Sequence, residues 1–172
     1  MTDRTHDCLK HKKAHTATKE KPYHFGDSGL PNVSLVGVKY WTCEECQSQW
    51  AEIPAPEQLM NVIAESIVMK AGLLSGAEIK FLRKRVGKRA ADFAELINRT
   101  PEHFSKLETE TLELKPATDK LIRLVYGMLS GDKQLLGTLY KRTEEWLRSI
   151  EGKREQEITI KQHKDGWAPV AA

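Results

Sequence analysis

The sequence of 172 residues has no long apolar run. None of its apolar stretches approaches the roughly 20 residues that a helix needs to cross a bilayer. The first residues, MTDRTHDCLKHKKAH, also lack the apolar stretch of a secretory signal peptide. We therefore expect a cytoplasmic protein that does not bind membranes.

Catalytic motifs are missing as well. No serine or cysteine stands in a recognisable setting with a base, no glycine-rich loop is suited to hold phosphates, and no pair of carboxylates is placed for acid–base work. The sequence therefore predicts a protein that is not an enzyme.

Cysteine is scarce, with three residues in the chain. Cys43 and Cys46 have the CxxC spacing that lets two thiolates on one turn share a metal ion. Cys8 and His11 have the same spacing and precede the first pair by a stretch long enough to fold back. Together these four ligands complete a tetrahedron around Zn²⁺. We predict one structural zinc ion per chain, held by Cys8, His11, Cys43 and Cys46.

Alternatives remain open for these residues. A CxxC pair can be a redox site, although the usual βαβ context is absent. The cysteines can also be unrelated thiols. The fourth ligand can be another histidine, namely His6, His15 or His24. A catalytic zinc is disfavoured because four protein ligands leave no position for water.

Composition divides the chain into four parts. Residues 1–52 hold all the cysteines and show little helical periodicity, so we expect a zinc-binding domain there. Residues 53–74 begin with IPAP and are expected to form a linker and a connecting helix. Residues 75–130 are expected to form a helical domain, and residues 131–172 a C-terminal amphipathic helix and tail. The expected fold is mainly α, with a small N-terminal β zinc-binding domain.

Local signals place the secondary structure. Residues 33–42 are β-branched and aromatic, which predicts a strand paired with residues 22–26, and residues 157–162 predict a further short strand. Amphipathic spacing predicts a helix at about residues 132–150. The apolar residues expected to face the core of the earlier helices are Leu59, Val62, Ile63, Ile67, Ile79, Leu82, Val86, Phe93, Leu96, Ile97, Phe104, Leu107, Leu121, Leu124, Val125 and Met128.

Residues 87–108 predict two short helices joined by a tight turn. Ser75 and Glu78 form a capping box that begins the preceding helix. Asn98 stands at the turn, where a left-handed residue is needed. Thr100 and Pro101 are a typical first pair of the second short helix. Such a helix pair can seat its second helix in the DNA major groove.

Positive charge is concentrated around this helix pair. Between residues 76 and 106 eight lysines and arginines face four acidic residues, a net charge of +4, whereas the whole chain carries +3. The first turn of the second helix faces base edges in DNA-bound helix pairs. The predicted base-reading residues are Pro101, Glu102, His103, Ser105 and Lys106. The predicted phosphate contacts are Lys88, Arg89, Arg99 and Thr100. The alternative to a DNA-binding surface is that these charged residues form an ordinary solvated face of a helical domain.

Residues 76–129 resemble a Cro/repressor-type (XRE) helix-turn-helix domain, and FSKLE at 104–108 is close to the FSRYE of one branch of that family. The matching positions are Gly87, Asp92, Phe93, Ala94, Glu95, Leu96, Ile97, Thr100, Phe104, Ser105, Lys106, Leu107 and Glu108. With the two-knuckle N-terminal segment, the chain resembles the MqsA/YgiT-type antitoxins of bacterial toxin–antitoxin systems. The chain departs from these patterns at several positions. Ala90 replaces Gln, Asn98 replaces Gly, Glu102 replaces Asn, His11 replaces Cys, and Gln47 follows Cys46 where the family has Gly.

The resemblance implies a homodimer joined through the helical domains that binds a palindromic operator and represses its own operon. It also implies that the zinc domain binds a ribonuclease-type toxin protein, and that Glu102 and Lys106 stand where the family reads bases with Asn and Arg. The leading hypothesis is a sequence-specific DNA-binding transcriptional regulator, the antitoxin of a type II toxin–antitoxin system. The alternatives are a phage or mobile-element repressor without a toxin partner and a zinc-containing protein-interaction adaptor.

Overall fold

A computed structural model describes residues 6–7, 14–15, 22–148, 157–163 and 166–170 of the chain. This part is mainly α-helical and carries a small sheet, as the sequence predicts. The six helices are α1 (Pro56–Met69), α2 (Gly76–Arg85), α3 (Ala90–Leu96), α4 (Pro101–Glu108), α5 (Pro116–Ser130) and α6 (Lys133–Arg148). Among the described residues, no helix combines the length and the apolar character needed to span a membrane.

The strands form one four-stranded sheet and two short pairs. Their bounds are β1 (His6–Asp7), β2 (Ala14–His15), β3 (Tyr23–His24), β4 (Val33–Val36), β5 (Tyr40–Thr42), β6 (Gln49–Ala51), β7 (Ile158–His163) and β8 (Gly166–Pro169). The sheet has the order β3-β4-β7-β8, whereas β1 pairs with β2 and β5 with β6. Strands β4 and β7 run parallel, and the other pairs are antiparallel.

The single strand predicted for residues 33–42 is two strands. Its first half, β4, pairs with β3 in the predicted hairpin. Gly37 then adopts a φ of 80°, a conformation that glycine reaches without steric cost. The chain turns there, and Tyr40–Thr42 leaves the sheet to pair with Gln49–Ala51.

The C-terminal strands belong to the N-terminal sheet. Ile158 and Ile160 are buried on β7 beside Val33 and Leu35 of β4. Both strands of the β7–β8 hairpin also pack on α1, where the Trp167 indole N–H donates to the Pro54 carbonyl at 2.9 Å. The expected separate tail therefore contributes two of the four strands, and one continuous apolar cluster joins the sheet to the helices.

Most apolar positions predicted for the first helices are buried. Leu59, Ile63 and Ile67 of α1 are inaccessible to solvent, and Phe93 and Phe104 are equally buried on α3 and α4. Three of these positions are wrong, because Leu96, Leu121 and Met128 are 49%, 36% and 68% exposed. Leu124 and Val125 of α5 are partly buried against the core. The buried side of α5 carries Thr118, Asp119, Ile122, Arg123, Tyr126 and Gly127.

Arg123 is the centre of a buried polar network that fixes the loop between α1 and α2. Its guanidinium donates to the carbonyls of Val68 and Lys70 at 2.9 and 2.8 Å, and also to that of Gly72. These groups lie at or just beyond the end of α1, where helical carbonyls lack intrahelical partners. The Asp119 carboxylate pairs with Arg123 and accepts the Leu74 backbone N–H at 2.8 Å. The α1–α2 junction is therefore held from α5 by hydrogen bonds.

A second buried ion pair begins α2. The Lys70 ammonium lies 2.6 Å from a Glu78 carboxylate oxygen. That carboxylate also accepts the Ser75 backbone N–H, while the Ser75 hydroxyl accepts the Glu78 N–H. This reciprocal arrangement is the predicted capping box, and it is confirmed.

Candidate nucleic-acid interface

The turn between α3 and α4 is set by Asn98, which adopts the predicted left-handed conformation with a φ of 52°. The Asn98 N–H donates to Glu95 O and the Arg99 N–H donates to Ala94 O, both at 2.9 Å. These two bonds form a Schellman motif, which satisfies the last carbonyls of a helix and ends it sharply. The turn is therefore tight and has a defined backbone geometry.

Helix α4 begins with the predicted cap. The Thr100 hydroxyl accepts the His103 backbone N–H at 3.2 Å, and Pro101 occupies the first helical position. Proline suits this position because its φ is already helical and no intrahelical donor is lost. The cap fixes where the first turn of α4 starts, and hence which side chains that turn exposes.

Two contacts hold α4 against the bundle. The rings of Phe93 and Phe104 lie 5.4 Å apart, which couples α3 to the buried side of α4. The Arg83 guanidinium binds both Glu108 carboxylate oxygens, at 2.7 and 3.1 Å, and ties α2 to the end of α4. Gly76 is needed at this junction, since a Cβ there would lie 2.3 Å from Glu108 O. Helix α4 is therefore anchored along one side.

The opposite side of α4 is open to solvent. Phe104 and Leu107 are buried, so the residues between them and before them point outward. Four of the predicted base-reading residues are exposed and His103 is half-buried. The exposed four are Pro101, Glu102, Ser105 and Lys106.

Glu102 is held as an anion at the start of α4. Its own backbone N–H, the Thr100 side chain and, to a smaller extent, Lys106 lower the pKa of the Glu102 carboxyl below its ordinary value. The exposed tip of α4 thus presents a carboxylate acceptor close to a lysine donor. An acceptor can pair with cytosine N4, and a lysine can pair with guanine O6 and N7.

The predicted phosphate-contacting residues lie at the starts of the two helices. Arg99 and Thr100 are exposed before α4, and Lys88 is half-buried before α3. The Arg89 side chain is 84% exposed, but its guanidinium binds both oxygens of Asp92 at 2.8 and 2.9 Å. Hydrogen bonding to Arg89 lowers the pKa of Asp92. A phosphate that binds Arg89 therefore competes with Asp92.

Ion pairing divides the cations of this region into two groups. Three arginines have carboxylate partners: Arg83 binds Glu108, Arg85 binds Glu57 and Arg89 binds Asp92. Among the described residues, the other five cations of residues 76–106 have no salt-bridge partner. These five are Lys80, Lys84, Lys88, Arg99 and Lys106. The charge count in the sequence did not anticipate this internal neutralisation, because Glu57 and Glu108 lie outside the counted stretch.

The CxxC pair lies on the turn between β5 and β6. Cys43 is fully buried and Cys46 half-buried, and both are thiols rather than a disulfide. The turn closes where the Gln47 N–H donates to Cys43 O at 2.8 Å, and Gln47 adopts a positive φ of 56°. Two thiols on one tight turn fit half of a tetrahedral zinc site. Cys8 and His11 lie outside the described residues, among which no group of three or more potential ligands converges.

Helix α5 carries an exposed apolar side opposite its buried one. Leu121 and Leu129 are 36% and 38% exposed and Met128 is 68% exposed, while Leu124 and Val125 are half-buried. Residues 121, 125 and 128 recur at helical spacing and form one stripe. Exposed apolar residues that line up on one side of a helix mark a surface that a partner can cover. Hydrophobic spacing assigned all of these residues except Leu129 to the core, and Leu124 and Val125 do pack partly against it.

Comparisons of the chain with models of protein families, with curated proteins and with solved structures find no match.

Proposed function

We propose that this protein is a sequence-specific regulator of transcription that binds double-stranded DNA through the exposed side of α4. The observation that carries the proposal is the α3–α4 pair: a Schellman turn at Asn98, a capped start at Thr100, and a polar tip whose opposite side is anchored by Phe104. This is the arrangement that a helix-turn-helix protein needs to insert one helix into the major groove.

Residues in the proposed interface have separate roles. Lys106 and Glu102 read guanine and cytosine edges, with Pro101, His103 and Ser105 beside them. The phosphate contacts come from Lys88, Arg89, Arg99 and Thr100, which position α4 without reading sequence. The net charge of this segment favours approach to DNA at low salt.

The proposed regulator is a homodimer. The apolar stripe on α5 lies on the bundle that contains α4, and a second copy of the same stripe would cover it. A two-fold dimer presents two recognition helices, which matches a palindromic operator. We propose that this operator lies in the protein's own promoter, so that the dimer represses its own synthesis. We also propose that the protein is not an enzyme.

We further propose that the protein is a cytoplasmic antitoxin of a type II toxin–antitoxin system. The support is the resemblance of its helix pair and its cysteine spacing to MqsA/YgiT-type antitoxins, together with the thiol-bearing turn at Cys43 and Cys46. In this proposal Cys8, His11, Cys43 and Cys46 hold one structural Zn²⁺. The zinc-bearing half then binds the toxin while α4 binds DNA.

Binding to the promoter DNA of its own operon tests the regulator proposal. We expect a shift of a promoter duplex at nanomolar protein, protection of two half-sites about one helical turn apart, and a steep decline of affinity with salt. Equal affinity for a scrambled duplex of the same length would refute sequence-specific recognition. Copurification of a small ribonuclease with the tagged protein supports the antitoxin assignment, whereas specific DNA binding with no such partner favours a phage or mobile-element repressor.

Metal analysis tests the zinc site separately. We expect about one zinc per chain in the purified protein and its loss in Cys43→Ser and Cys46→Ser. Glu44→Ala is the matched control, because it alters an exposed side chain of the same turn without removing a ligand. A folded, zinc-free wild-type protein would rule the site out.

A further inference from the structure

A cleft of about 650 Å³ lies between the sheet-bearing half and the helical bundle. One wall is α2, the other is the 3₁₀ turn at Gly26–Ser28, and Met60 of α1 contributes to the lining. The proposed DNA contacts do not use this cleft. It opens near Glu108, the last residue of α4, about 10 Å along the helix from the proposed base-reading turn.

The lining of the cleft combines an apolar floor with charged rims. Met60, Ala77 and Phe81 supply the apolar surface. Lys80 and Lys84 lie one helical turn apart on α2, and both are exposed. Asp27 is exposed on the opposite rim. The cleft is therefore cationic along one wall and carries a single carboxylate on the other.

The two lysines differ from the arginines beside them. Arg83 and Arg85 on the same helix are bound to Glu108 and Glu57. Lys80 and Lys84 have no carboxylate partner among the residues that the structure describes. Charges on the rim of a binding surface steer and select a partner of opposite sign. The lysine pair is thus available to an anionic ligand.

We infer that this cleft binds an acidic peptide segment of a partner protein, with apolar side chains on the floor and carboxylates on Lys80 and Lys84. The apolar floor favours a peptide over a nucleic-acid backbone, because phosphates offer nothing to Met60 and Phe81. A peptide in this position contacts both halves of the molecule at once.

Titration of the full-length protein with a short capped peptide, in which glutamates alternate with leucine and phenylalanine, tests this inference without DNA. We expect saturable binding by calorimetry, with NMR shifts at the amides of Gly29, Lys80, Phe81 and Lys84. The double variant Lys80→Glu, Lys84→Glu should weaken binding by about tenfold or more. The matched control is Lys133→Glu, Lys141→Glu, which makes the same charge change on exposed sites of α6.

Several outcomes would overturn the inference. These are the absence of saturable binding, an equal loss in the α6 control, or shifts confined to other surfaces. A peptide with glutamine in place of glutamate should bind much more weakly, and equal binding would also contradict the charge argument. If the double variant Lys80→Gln, Lys84→Gln lowers the affinity for a DNA duplex more than the affinity for the peptide, the two lysines belong to the DNA-binding surface. Because the peptide arm contains no DNA, it can succeed or fail independently of the proposed regulator function.

Discussion

Arg123 and Asp119 lie one turn apart on α5 and form an ion pair in the core, with Arg123 Nε 2.9 Å from Asp119 Oδ2. Both side chains are essentially inaccessible to solvent. Burial lowers the pKa of Arg123, and the nearby Asp119 carboxylate opposes that shift. The free-energy cost of burying this ion pair is offset in part because the other guanidinium N–H groups donate to backbone carbonyls at the end of α1.

Arg123→Ala should strongly destabilise the protein. The substitution leaves the Asp119 carboxylate and several carbonyls without their buried partner, a loss of about 3–5 kcal/mol for a broken buried pair. Arg123→Lys should recover only part of this, because an ammonium cannot present the planar fork that reaches these carbonyls. Urea unfolding checks both variants against Arg99→Ala, an exposed control. A loss below about 1 kcal/mol in Arg123→Ala would show that the network contributes little net stability.

Asn98→Ala should destabilise the α3–α4 turn, and Asn98→Gly should not. Alanine has neither the freedom of glycine nor the side-chain hydrogen bonding that lets asparagine tolerate a positive φ. We expect about 1 kcal/mol lower unfolding free energy for the alanine variant and little change or a small gain for glycine. Chemical denaturation measures the difference. Equal effects of the two substitutions would mean that the turn relaxes out of the left-handed conformation.

Lys106→Ala should weaken operator binding by about 1–3 kcal/mol and relax the preference for guanine at one position of each half-site. The fold should not change, because the side chain is exposed on α4. Binding isotherms with the wild-type operator and a single-base variant provide the measurement. Lys133→Ala removes an exposed lysine from α6 and is the control. Unchanged affinity and unchanged base preference in Lys106→Ala would remove Lys106 from the proposed interface.

Asp92→Asn should increase affinity for DNA of any sequence. Asp92 binds the Arg89 guanidinium through both carboxylate oxygens. The substitution removes this anionic partner, so that a DNA phosphate no longer has to compete with Asp92 for Arg89. Arg89→Ala should have the opposite effect and reduce the slope of log affinity against log salt by about 1. Glu95→Gln is the matched control, since it removes one negative charge from the same helix. If Glu95→Gln raises affinity as much as Asp92→Asn, net charge alone accounts for the gain.

A chain that ends at Arg148 should lose the structure of the sheet while the helix pair is retained. Only the two-residue β3 would then remain paired with β4, and an isolated pair of strands is marginal in water. Hydrogen exchange should show loss of protection at Val33–Val36 and retained protection in α3 and α4. Adding a separate peptide of residues 157–170 should restore the protection of Val33–Val36. A chain ending at Val170 is the control, and unchanged protection in the shorter chain would contradict the assigned topology.

Signals within a few residues predicted much of the helical part. The Ser75–Glu78 capping box, the Asn98 turn and the Thr100 cap are each decided by neighbours in sequence, and all three are confirmed. The prediction of one strand over residues 33–42 overlooked Gly37, whose positive φ ends the pairing with β3. An isolated glycine within a strand pattern is itself a signal of such a break. Periodicity could not find the whole buried side of α5, since that side contains Asp119 and Arg123, whereas the apolar Leu121 and Met128 are exposed.

The parallel pairing of β4 with β7 could not be predicted from local sequence signals. The Ser34 hydroxyl donates to the Glu157 carboxylate at 2.6 Å across a separation of 123 positions, and nothing near either residue specifies the other. The candidate site was more accessible, because exposure on α4 follows from its buried Phe104 and Leu107. The pairing of Arg89 with Asp92 depends on rotamers that the sequence does not fix.

The parallel pairing also sets an order of events during synthesis. Strand β4 emerges early from the ribosome, but its partner β7 is translated only after all six described helices. Contacts between such distant residues form slowly, because the intervening chain must first be brought together. The helices from α2 to α5 rely on local and neighbouring contacts and can assemble first. A nascent chain would thus acquire its proposed DNA-reading bundle before its N-terminal sheet is complete.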